Sequence, residues 1–154
     1  MIFGILASAN PFDWRTALLA RHAQHVVLIH FPIALYLAGV ALDLSASWFN
    51  RKNLAEAAYW NLTLAAFAAL PAVVTGLIAW QWQLEGQSLQ GILLEHMIAG
   101  GTAALAVCWT WILHHRSRRA GRHLPPGRFL LEAAGTLAVV AAGHLGGFLT
   151  GVAQ

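Results

Sequence analysis

The sequence predicts an all-α integral membrane protein, a four-helix transmembrane bundle with a short N-terminal interfacial helix. Three observations lead there. Of the 154 residues, 58% are hydrophobic and only 10% are charged, whereas a soluble domain carries about 25% charged residues. Mean hydropathy is +0.61. The apolar residues gather in four stretches, each long enough for a span of roughly 20 residues. So few polar side chains cannot coat a water-soluble globule, and the lipid bilayer is the first expected partner. Residues 1–22 read as an N-terminal segment with the interfacial helix, and 23–154 as the transmembrane domain.

Met1 to Asn10 is apolar, and Ala7-Ser8-Ala9 has the small-residue pattern of a signal-peptidase site. A basic n-region is missing and the apolar core is short, which argues against a cleaved signal. Residues 11–22 place Trp14, Leu18 and Leu19 on one side at helical spacing, with Asp13, Arg15 and Arg21 among them. That pattern predicts a helix lying on the bilayer surface.

Span one is predicted from about Ala23 to Phe49, ending in Trp48-Phe49 and the charged Arg51-Lys52. Span two covers about Leu54 to Trp82, with Pro71 inside it as an expected kink. Glu85-Gly86-Gln87-Ser88 is a short polar turn. Span three covers about Leu89 to Leu113. The stretch His114 to Arg128, with Arg116, Arg118, Arg119 and Arg122, reads as a basic loop. Span four covers about Phe129 to Val152. Cys108 is the single cysteine, so neither a disulfide nor a thiolate cluster is available.

The pI near 9.8 does not indicate a nucleic-acid partner. The basic residues sit in short loops between spans, where they report topology. Loops after spans one and three hold most of the arginines, and the Glu85 turn holds none. The expected placement is multi-pass in a bacterial inner membrane. The basic loops would then be cytoplasmic, and both termini and the Glu85 turn periplasmic.

The histidines carry the chemistry. At about 1.5 Å rise per residue, His30 in span one and His96 in span three lie roughly 10 Å below the outer surface. His144 in span four lies roughly 12 Å deep, and His25 is about one turn shallower than His30. Imidazole inside a bilayer is costly and is usually kept for function. Rings from separate helices at one depth suit the two axial nitrogens of a b-type haem. They also suit copper or zinc, a quinone or proton-relay site, or interhelical hydrogen bonding alone. His30 and His96 are the expected axial pair, and also the expected pair for a bare metal. They lie on spans that should be diagonal and parallel in an up-down bundle. His144 and then His25 are the further candidates. His25 and His30 stand about 140° apart around their helix and cannot both face one iron. Gly100, Gly143, Gly146, Gly147 and Gly151 leave room for close helix packing or a flat ligand. Asp43 reads as either a solvated acid or a proton-uptake group, and Glu95 as a surface group or a partner of His96. His114, His115 and His123 read as solvated loop residues. No nucleophile–base constellation supports hydrolytic chemistry.

The stretch His25-x4-His30-Phe31-Pro32-Ile33-Ala34-Leu35 resembles the first-helix signature of a widespread bacterial family of small four-helix predicted membrane proteins of unknown function. The resemblance continues through Ala72 to Trp80, His96-Met97 and Gly143 to Gly147, and covers about residues 25–152. Val26 stands where that family usually has proline. Members often occur near cytochromes and other redox proteins, which implies membrane electron transfer by analogy. Similarity to cytochrome b561-type bundles is looser, since those hold haems at two depths.

Together these readings predict an electron-transfer protein or complex subunit more than an independent enzyme. Haem b in the outer half of the bilayer would link the quinone pool to a periplasmic cytochrome or a larger redox complex. The alternatives are a membrane module binding a non-haem metal or small ligand, and a structural anchor subunit.

Overall fold

A computed structural model describes residues 21–150, with the side chains of 21–23 and 83 left out of account. The expected N-terminal surface helix falls almost wholly outside the described residues. Four helices follow one another: α1 (Arg21–Phe49), α2 (Lys52–Gln83), α3 (Gly91–Arg119) and α4 (Arg128–Leu149). All four are long and apolar enough to cross a membrane. They form the expected up-down bundle, with α1 against α2, α2 against α3, α3 against α4, and α4 back against α1. The α1–α4 contact is the slightest of these, and α1 and α3 are diagonal.

The helix ends follow from local chemistry. α1 stops where Asn50 takes a left-handed φ of 51° and the Arg51 amide donates to the Ala46 carbonyl at 3.1 Å. This is a Schellman closure, in which a residue tolerant of positive φ lets orphan carbonyls be capped. α3 stops the same way at Gly121, with φ +60° and the Arg122 amide donating to Ser117 at 3.0 Å. The adjacent pair Pro125-Pro126 precedes α4, where proline's missing N–H costs nothing. α2 runs continuously through Pro71 and α1 through Pro32.

The predicted basic loop is therefore shorter than expected. α3 continues past Leu113 to Arg119 because its buried stripe Ala103, Val107, Thr110, His114 and Ser117 keeps helical spacing. Those residues need the α1 and α4 faces, so tertiary contact carries the helix through a basic segment.

The core is built from small residues. Gly39 backs onto Leu62, whose side chain would stand 2.9 Å from an added Cβ. Tyr36 is fully buried and reaches between α3 and α4. Its hydroxyl lies 3.3 Å from Thr110 Oγ1 and donates to the Glu132 carbonyl at 3.4 Å. Large side chains such as Leu64, Phe67, Ile98, Leu105, Leu130 and Leu137 face outward, as lipid contact requires. Burial is uneven along the bundle. Beyond Pro32, Ala72, Ala103 and Val139 toward the Glu85 turn, no described residue is buried. The helices pack tightly at the basic end and loosely at the other.

Candidate functional site

Two clusters of titratable groups stand at opposite ends of the bundle. The first is the imidazole level near the Glu85 turn. His96 is held by its Nδ1–H, which donates to the Ala142 carbonyl of α4 at 3.0 Å. A neutral ring bonded this way carries its lone pair on Nε2. His25 Nδ1 lies 3.2 Å from Thr75 Oγ1 of α2. The Thr75 hydroxyl donates its own proton to the Pro71 carbonyl at 2.8 Å. It must therefore accept from His25, which again leaves Nε2 with the lone pair. His30 Nδ1 donates to the Val26 carbonyl one turn earlier, at 2.5 Å. In all three rings Nδ1 is bonded to an oxygen, the arrangement that fixes a ring's tautomer and orientation. His144 differs: its ring packs edge-on against Phe148, with centroids 4.9 Å apart.

Inward stripes decide which rings meet. On α1 the buried positions are Pro32, Tyr36, Gly39, Asp43 and Ala46, and His25 extends that stripe by one heptad. On α3, His96 extends the stripe that contains Ala103 and Val107. Both rings are half-buried. His30 and His144 lie off their stripes and are exposed. Among the described residues, His30 is hydrogen-bonded only to its own helix. Helix rotation therefore turns His25 toward the inner face that His96 also occupies, where span-level depth alone favours His30. Glycines bed both rings: an added Cβ at Gly76 would stand 2.9 Å from His25 Cε1, and one at Gly146 would stand 3.2 Å from His96 Cε1. Gly100, Gly101 and Gly147 face open space. Two half-buried imidazoles on inward stripes of diagonal helices, each beside a glycine, are the candidate ligand pair at this end.

The second cluster lies at the basic end and is buried. Asp43 is 2% exposed, His114 4% and Glu132 1%. His114 Nε2 and Glu132 Oε1 are 3.0 Å apart. Arg128 Nε donates to Asp43 Oδ2 at 2.7 Å, and its Nη2 donates to Ser47 Oγ at 2.5 Å. One potential ligand atom from each of Asp43, His114 and Glu132 lies within 4.8 Å of the other two. The sequence reading placed His114 in a solvated loop; helix continuation puts it in the core instead. It also left Glu132 unmarked, although a lone acid within an apolar span is a signal in its own right. Asp43 is a paired core residue and not a solvated one.

Around this cluster, Tyr59 Oη lies 3.0 Å from His115 Nδ1, so His115 too is part of the packed helix. Arg118 stacks 4.4 Å over the Tyr59 ring and forms a two-point ion pair with Glu56. His123 and Glu95 are exposed.

No curated protein and no solved structure matches the chain. A family profile with the description "Predicted membrane protein (DUF2231)" matches residues 21–153. That range takes in all four helices and both clusters, and the chain belongs to this family of predicted membrane proteins of unknown function.

Proposed function

We propose that the Glu85 end of the bundle binds a b-type haem between His25 and His96. The protein would pass electrons between a quinone-class carrier in the bilayer and a redox partner at the periplasmic surface of a bacterial inner membrane. The observation that carries this reading is the state of the imidazoles. His25 and His96 each spend Nδ1–H on a fixed partner, Thr75 and the Ala142 carbonyl respectively, which leaves the Nε2 lone pair free for a ligand. Bound haem would supply reversible one-electron transfer at iron. Thr75 and the Ala142 carbonyl orient the rings and raise their donor strength. Gly76 and Gly146 leave room for the two rings beside the helix backbone. The apolar helix faces exclude water and so tune the potential. The same nitrogens would accept copper or zinc if porphyrin were not supplied.

An absorption spectrum of detergent-purified protein tests the proposal. A Soret band and a reduced α band are expected, lost in His25→Ala and His96→Ala and retained in His30→Ala and His144→Ala. A metal bound without a porphyrin spectrum would replace haem with a bare metal ion. Co-purifying subunits with neither would point to an anchor role. A spectrum that survives both His25→Ala and His96→Ala would overturn the ligand assignment.

A further inference from the structure

We propose that Asp43, His114 and Glu132 form a second site, for a divalent first-row metal ion, inside the basic end of the bundle. It is separate from the imidazole level and does not depend on it. The three residues come from α1, α3 and α4, and all are buried. Their donor atoms already lie within 4.8 Å of one another. An ion at about 2.1 Å from each would draw them to roughly 3.5 Å apart, a small movement of side-chain ends. One imidazole with two carboxylates is a mixed set that suits zinc, manganese or ferrous iron.

A second observation points to a ligand. Glu132 Oε2 is buried and has no hydrogen-bond partner among the described residues. A carboxylate oxygen at such a position is costly to leave unmatched. A ligand at Oε2 repairs this. A cation does so well, because it can take both Glu132 oxygens at once. Charge counting agrees. Arg128 offsets Asp43 through its 2.7 Å bond. That leaves the Glu132 carboxylate facing the His114 imidazole alone, at 3.0 Å. Tyr36, Thr110 and Ser117, which also line this region, are uncharged.

The test uses the full-length chain carrying His25→Ala, His30→Ala, His96→Ala and His144→Ala, so that the imidazole level offers no ligand. The protein is stripped with EDTA, equilibrated with Zn²⁺ and assayed for metal content. One zinc per chain is expected. Glu132→Gln and His114→Ala should weaken zinc binding by at least about tenfold. Equal zinc content with and without those substitutions would overturn the proposal. So would zinc far below one equivalent in every chain, which would leave two buried ion pairs in place of a metal site. Co²⁺ in the same background, before either further substitution, gives a measurement independent of their folding. Visible d–d bands that saturate at one equivalent are expected, and their absence counts against the site.

Discussion

Tyr36 and Gly135 interlock. The Tyr36 hydroxyl stands 2.1 Å from the place a Cβ on residue 135 would occupy. α1 thus plugs into α4 through a notch that only glycine provides. Gly135→Ala should expel the ring from its contacts with Thr110 and Glu132. Overpacking of this kind costs about 1–3 kcal/mol. A fall in the thermal midpoint of the detergent-solubilised protein is the expected reading. Gly147→Ala, which meets open space, serves as the matched control and should leave the midpoint in place.

Burial separates the ion pairs. Arg128–Asp43 has side chains only 10% and 3% exposed, whereas Arg118–Glu56 has 47% and 48%. Asp43→Asn leaves a guanidinium in the core without its counter-charge, a loss of about 3–5 kcal/mol. Glu56→Gln removes an exposed partner that water and salt replace. Thermal unfolding of the two variants side by side should show a large drop for the first. The second should stay within the scatter of the wild type. Comparable drops would mean that the two pairs have similar surroundings.

The glycines under the imidazoles give a finer probe of the proposed haem site. Gly76→Ala places a methyl 2.9 Å from His25 Cε1, and Gly146→Ala places one 3.2 Å from His96 Cε1. Each should tilt its ring without removing it. The expected result is a shifted reduction potential or Soret position with the helical content unchanged. Gly100→Ala, facing open space, should be spectroscopically silent.

Much of the architecture was legible in the residues. Hydropathy located four spans because lipid demands long apolar helices, and that demand is local in sequence. The expected histidine depths came from helical rise alone. What depth could not show was rotation. Whether His25 or His30 turns inward depends on the stripe that Tyr36, Gly39 and Asp43 define, and that stripe is set by the neighbouring helices. The buried Asp43–His114–Glu132 group was hidden for a similar reason. His114 sits among arginines, and in one dimension such a stretch looks solvated. Its partner Glu132 lies across a proline loop, and Asp43 lies on another helix altogether. The spacing Ala103, Val107, Thr110, His114, Ser117 was nevertheless present in the sequence. Carried past Leu113, it marks His114 as core.

Arg128 bonds α1 at Asp43 and Ser47 from the first turn of α4, on the seam where those two helices otherwise touch least. The protein is consequently built like a pair of tongs riveted near the handle. Parting of α1 from α4 costs least at the far tips, beside the imidazoles.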